Sequence, residues 1–439
     1  MSFSQALSGL SAQQAKLAVT GNNIANSQTV GFKGSNVQFA DVYAQQIGLG
    51  TRVAATMQDF TQGNIESSGR NLDLAIAGEG FFRFQLPNGD IGYSRNGQLN
   101  LTADGRLINS QGAQIMGYGL SDANDLFSPI AQGGAPVPIS VPADDMPARA
   151  TGSSEGENSG VQAVYNLDAS IDVNNADLRN QAEVFNSLEA KQDEDNDAVT
   201  EINYHYSNSF TVYDSLGTAQ SVTAYFEKTG ENAWSVKTAV NGIYTGIAND
   251  FALKFKSDGT LERNGDGDII GVEGSDRSAI TITSADALGT GANDLTFNFR
   301  LAGTTQFSNS STNNTLSQDG YTSGSLIGVT IEEDGTVMRN FSNEQTVAAG
   351  QVAMVSFRNP EGLNPSGDNL WSATGSSGPE LVGAPGTGQR GLVQASAIET
   401  SNVDLARELV DMIVAQRAYQ ANSQTISTQD ELLQTIINI

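Results

Sequence analysis

Residues 398–439 read IETSNVDLARELVDMIVAQRAYQANSQTISTQDELLQTIINI, and Ile398, Leu405, Met412, Tyr419, Ile426 and Leu433 recur in them at every seventh position. Residues 3–24, FSQALSGLSAQQAKLAVTGNNI, repeat the pattern at Phe3, Leu10, Leu17 and Ile24. A strict seven-residue apolar repeat drifts slowly against the 3.6-residue helical turn, so two such seams bury each other best as a left-handed coiled coil. The two termini therefore predict a helical stem, with the intervening chain looping out of it. The second stripe weakens a self-sufficient pair. Leu409, Gln416, Ser423, Asp430 and Ile437, and Ala6, Gln13 and Thr20 opposite, are largely polar or small. Small residues elsewhere (Ala12, Ala15, Ala18; Ala406, Ala415, Ala418, Ala421) invite close approach by further helices. The expectation is that the stem completes its core against other copies of the chain.

Between the ends the pattern changes. Leu72, Leu74 and Ile76 alternate, and Phe81-Phe82-Arg83-Phe84 opens a run that closes on Asn88-Gly89. Asp104-Gly105, Asp258-Gly259 and Asp334-Gly335 also sit between alternating segments. Such pairs predict two-residue hairpins with primed turns and argue for antiparallel β domains over βαβ units. Residues 31–70, with Gly48 and Gly50 as breaks, read as an extended connector, and Gly375 to Gly391 as a Gly/Ser-rich linker into the last helix. Gly21-Asn22-Asn23 predict the end of the first helix, and Ser401 or Asn402 the cap of the last, with Asp404 favourable at its positive end. Polar stretches near 148–200 and at 308–320 bracket an inserted segment. The fold class expected is multidomain α+β: a coiled-coil-like stem (1–30 plus 392–439), the connector (31–70), a β domain (71–147 plus 317–391) and a second β domain (148–316) inserted in it.

Of the 439 residues, 22 are Lys or Arg and 49 Asp or Glu, for a net charge of −27. Residues 1–70 hold four basic and three acidic groups, and 392–439 hold two and six, which leaves 16 against 40 in the span between. An acidic body on a nearly neutral stem repels nucleic acid and anionic membranes. The chain has no cysteine, which excludes thiolate metal sites, disulfides and cysteine nucleophiles. No run of 18 apolar residues spans a membrane, and no Sec-type signal opens the chain, whose first positive charge is Lys16. The lone histidine, His205, lies in strand-like alternation and is expected to be structural. Gly386-Thr387-Gly388-Gln389-Arg390-Gly391 matches a dinucleotide fingerprint without the βαβ unit that it needs. Asn264 to Asp268 has the alternating oxygens of a calcium loop, but Ile269 and Ser275 stand where Gly and Glu are required. Neither cofactor nor metal nor catalytic residue is expected.

Longer segments are more specific. Asn22-Asn23-Ile24-Ala25-Asn26-Ser27, continuing through Gly31-Phe32-Lys33, resembles the N-terminal signature of the bacterial flagellar rod and hook proteins. Ser401-Asn402-Val403-Asp404-Leu405 and the run holding Gln416, Arg417 and Tyr419 resemble that family's closing signature. QDFTQGNIESSGRNLDLAIAGEGFFRF, YSRNGQL, GDNLWSAT and FTVYDSLGTAQSVTAYFEKTGENAW are most similar to the hook branch. The resemblance implies a structural subunit, not an enzyme. Many copies would assemble into a curved, hollow, extracellular tube that transmits torque from rod to filament. It further implies termini that line the channel and are disordered in the free subunit, and export by the flagellar type III apparatus without a cleaved signal. Implied partners are further copies, the distal rod, the hook–filament junction proteins and, during assembly, a hook cap, with no nucleic acid and no membrane insertion. A distal rod subunit is the nearest alternative; a secreted adhesin or a carbohydrate-acting enzyme are more remote ones.

Overall fold

The computed structural model describes residues 3–437 except 45–46, 123–124, 154–158, 176–177, 193–197, 263–276 and 283–290. The candidate calcium run 264–268 and the acidic run 193–197 lie outside the described residues. The chain is mostly β, with helices α1 (Phe3–Ala25) and α3 (Leu405–Ile437) at its ends and the short α2 (Leu188–Gln192) between. No helix among the described residues is long and apolar enough to cross a membrane. Two compact units form: Met1–Asp144 with Leu326–Asn340 and Glu344–Ile439, and Asp145–Ser325 with Phe341–Asn343.

In the first unit, the main antiparallel path runs through Leu326–Ile331, Thr336–Phe341, Thr346–Val352, Gln114–Tyr118, Phe81–Gln85 and Ile91–Ser94. Alternation puts Phe82 and Phe84 on the same face as Leu74, Ile115, Val337 and Val352, all fully buried. The opposite face collects Phe81, Tyr93, Phe357 and Trp371, with Phe60 edge-on to Phe81 and Trp371. The second unit packs a sheet ordered Val199–Tyr204, Asn180–Phe185, Ile243–Tyr244, Ala233–Val240, Ala219–Gly230, Tyr206–Tyr213 around a core that includes Tyr165, Phe226, Trp234 and Phe297. Its other sheet departs from the antiparallel rule, because Val161–Asp168 pairs in parallel with Leu295–Arg300 and Thr305–Phe307.

The turns differ from expectation in type. Only the glycine of each pair has positive φ: 89° at Gly89, 76° at Gly105, 81° at Gly259 and 82° at Gly335. Each glycine N–H returns to the carbonyl three residues back (Gly105 to Thr102, Gly335 to Glu332), and that residue's N–H takes the carbonyl one past the glycine. These are three-residue loops, a type I turn closed by a left-handed glycine, so the Asn or Asp needs no unusual backbone.

The 31–70 segment corrects another expectation. It holds an antiparallel hairpin, β1 (Ser35–Ala44) with β2 (Ile47–Gln58), in place of an unpaired connector. Register shifts at Gln38/Phe39 and Val42/Tyr43 explain why it was illegible, since each bulge flips the inward-outward alternation that marks a strand. Gly375–Gly391 is likewise ordered. Leu381–Gly383 pairs with Met354–Ser356, and the Arg390 guanidinium fills the glycine loop through the carbonyls of Ala384 and Leu381 and the hydroxyl of Thr387.

Candidate assembly site at the two termini

α1 runs through Gly21 and ends only at Ala25, beyond the expected stop. It lies antiparallel to α3. Asn23 Nδ2 donates to Glu408 Oε1 at 3.0 Å, Lys16 Nζ stands 3.7 Å from Asp411 Oδ1, and Gly9 gives room to the Asn422 side chain. The α3 face turned to α1 is Glu408, Asp411, Ala415, Ala418, Asn422, Thr425 and Gln429, all buried or half-buried. That face has the three-and-four spacing of a heptad seam, but it is built from small and polar residues. Ala415 is 1% exposed, and Ala6, Ala12 and Thr20 are the buried counterparts on α1.

The apolar seams read from the sequence do not bury each other. Phe3 is 53% exposed, Leu405 45%, Tyr419 39% and Leu433 55%. Leu10, Leu17, Ile24, Met412 and Ile426 are half-buried at the flanks of the small-residue contact. Leu409, Val410, Ile413 and Val414 face outward from α3. Ile398 is not in the helix at all: it lies in the strand Ala397–Glu399, paired antiparallel with Ile65–Ser67. The helix opens only at Leu405, where Asp404 Oδ1 accepts the N–H groups of Ala406 (2.9 Å) and Arg407 (3.3 Å). Asp404 is thus the cap in place of Ser401 or Asn402, and its charge meets the positive helix end.

The signature residues around the end of α1 and the start of α3 gather where the helices meet the body, while Gln416, Arg417 and Tyr419 lie further along α3. Asn23 is buried and clamps the start of β1 with both ends of its amide: Oδ1 accepts Ser35 N–H at 3.0 Å and Nδ2 donates to Ser35 O at 2.9 Å. Asn402 Oδ1 accepts Gly34 N–H at 2.8 Å while Nδ2 reaches the carbonyl of Asp59 at 2.8 Å. Lys33 is fully buried; its ammonium donates to Glu399 Oε1 at 2.6 Å and to Thr61 O at 2.7 Å. The same carboxylate accepts Gly63 N–H at 2.8 Å and faces Arg95 at 3.4 Å. Burial lowers the Lys33 pKa below the ordinary lysine range, and the attraction of Glu399 opposes that shift. Gly31, at φ 71°, packs so tightly on Asn96 that an added Cβ would lie 2.7 Å from its backbone nitrogen. Val403 lies over Gly34, and Asn26 bonds back to Asn22. Phe32 and Ser401 are half-buried, and Ala25, Gln416 and Arg417 are exposed.

Sequence alone does not show that Glu399 is the partner of Lys33, or that Arg95 faces the same carboxylate. Arg95 lies 304 residues from Glu399, and the local hint is a lone acid directly after apolar Ala397 and Ile398. His205 is structural in its contacts: Nδ1 accepts Lys228 N–H at 3.0 Å and the ring meets Trp234 edge-on.

Four family models match the chain: "Flagella basal body rod protein" over 4–33, "Flagellar hook protein FlgE/F/G D1 domain" over 75–156, "Flagellar basal body protein FlaE D2 domain" over 180–321, and "Flagellar basal body rod FlgEFG protein C-terminal" over 394–439. The flagellar hook protein FlgE of Escherichia coli K12 is 41% identical over all of both chains, and that of Salmonella typhimurium LT2 40%. The hook protein of Borreliella burgdorferi is 29% identical over 99% of this chain and 98% of its own. The crystal structure of Helicobacter pylori flagellar hook protein FlgE2 shares the fold, with a TM-score of 0.52 at 16% identity over 76% of this chain and 100% of that one. The chain belongs to the flagellar hook protein family. It is a structural subunit of the bacterial flagellar hook.

Proposed function

We propose that this subunit works mechanically, as one element of a curved, hollow, extracellular tube that bends while it carries torque from rod to filament. Residues 1–30 and 392–439 form a stem whose helices, coiled-coil-like, close against neighbouring copies around the channel; 71–147 with 317–391 form a middle layer and 148–316 an outer one. The chain passes through the type III apparatus unfolded and uncleaved, meets the distal rod, the junction proteins and a cap, and catalyses no reaction.

The observation that carries this reading is the arrangement of α1 and α3. Their mutual contact consumes small and polar residues, while Leu409, Val410, Ile413 and Val414 (46%, 61%, 50% and 54% exposed) stay uncovered. A contiguous apolar helix face costs solubility unless a partner covers it. The test is assembly of purified full-length Val410→Ser/Val414→Ser beside the unsubstituted chain. Sedimentation should show loss of polymer with unchanged strand content in circular dichroism; tubes formed at the normal rate would contradict the reading.

A further inference from the structure

The outward charges of α3 are sorted by end. Arg407 and Arg417 are exposed beside the apolar patch Leu409–Val414, in the half of the helix nearest the body. The acids of that half are engaged by α1, Glu408 by the Asn23 amide and Asp411, at the surface, by the Lys16 ammonium. In the far half Asp430 and Glu431 are exposed beside Leu432 and Leu433, which are 58% and 55% exposed. No Lys or Arg follows Arg417 in the chain. Lys16, the sole cation of α1, is held at Asp411 near the other end. Two acids thus stand in the C-terminal half of a helix, whose end itself favours cations, with no cation beside them from either helix.

We infer that α3 docks head to tail on α3 of a second copy, its acidic, leucine-bearing tip covering the basic, valine-rich root patch of the next. This rests on the self-assembly reading above and specifies the partner surface. Opposite charge flanks an apolar centre at both ends, so the two surfaces complement each other but neither complements itself. A contact of that kind is heterologous and propagates without closing. With parallel helices, the patches lie about 20 residues apart, which sets an axial step of about 30 Å between contacting copies at about 1.5 Å per residue.

The absence of cysteine makes engineered thiols unique. Full-length Val410→Cys and Leu433→Cys chains should form a disulfide dimer when co-assembled and mildly oxidised, whereas either alone should not. Separately, Arg407→Glu/Arg417→Glu should slow assembly by about tenfold or more, as should Asp430→Arg/Glu431→Arg, and the chain carrying all four changes should recover it. All these positions are exposed, so folding is spared. Self-dimers of either single cysteine variant, or no recovery in the fourfold variant while the unsubstituted chain assembles, would overturn the head-to-tail contact alone. If the unsubstituted chain itself forms no polymer, the assembly reading falls and the contact with it.

Discussion

Glu399 sits at the junction of the strand that leads into α3, the loop after the β1/β2 hairpin, and the turn that carries Arg95. Its carboxylate holds Lys33 at 2.6 Å and faces Arg95 at 3.4 Å with no solvent contact. Removing one partner of a buried ion pair is costly because the remaining charge stays desolvated. Glu399→Gln would leave two cations facing a neutral amide, and we expect a loss of about 3–5 kcal/mol in denaturant unfolding of the first unit. An unchanged midpoint would mean that the pair is bypassed by water or rearrangement. The polar signature was legible as family residues, but its role was not. Asn23, Lys33 and Asn402 were visible in local sequence, whereas the groups that complete their bonds lie up to 385 residues away in the chain.

At the scale of elements, α1 and α3 were legible from seven-residue spacing, yet their contact face was not. The repeat located both helices but overran the start of α3, since Ile398 lies in the strand Ala397–Glu399. The intrachain seam chose the adjacent stripe, through Glu408, Asp411, Ala415, Ala418 and Asn422, since small side chains let two helices approach and let Asn23 and Lys16 find their acids. Ala415→Leu should therefore destabilise the helix pair by about 1–3 kcal/mol through overpacking, read as loss of helical circular dichroism on heating. Leu433→Ala, on an exposed site, should leave that signal within about 0.5 kcal/mol. The β1/β2 hairpin escaped notice for a different reason: two bulges scrambled its alternation. The glycine turns were found because their chemistry is local, although the glycine alone bears the positive φ.

For the whole molecule, charge and burial are divided between parts. The span 71–391 carries a net −24, from 16 basic and 40 acidic groups, while the terminal segments are nearly neutral. Repulsion among solvated bodies keeps copies soluble without opposing contacts between stems. The main sheets of both units have buried cores, with Trp234, Phe226, Phe82 and Val337 fully buried inside the chain, whereas the β1/β2 hairpin leaves Phe39, Tyr43, Leu49 and Val53 exposed. The terminal helices have no such core: among the described side chains, apart from Ala6, Ala12 and Ala415, their apolar residues are half-buried or exposed. Stability should follow the same division, because a helix held by so little buried apolar area is marginal in water. Hydrogen exchange on the full-length chain, free and polymerised, measures this directly. The account predicts that amides of Phe3–Ala25 and Leu405–Ile437 exchange quickly in the free subunit and become protected on polymerisation, while strand amides stay protected throughout. Equal and strong protection of both helices before and after polymerisation would contradict it.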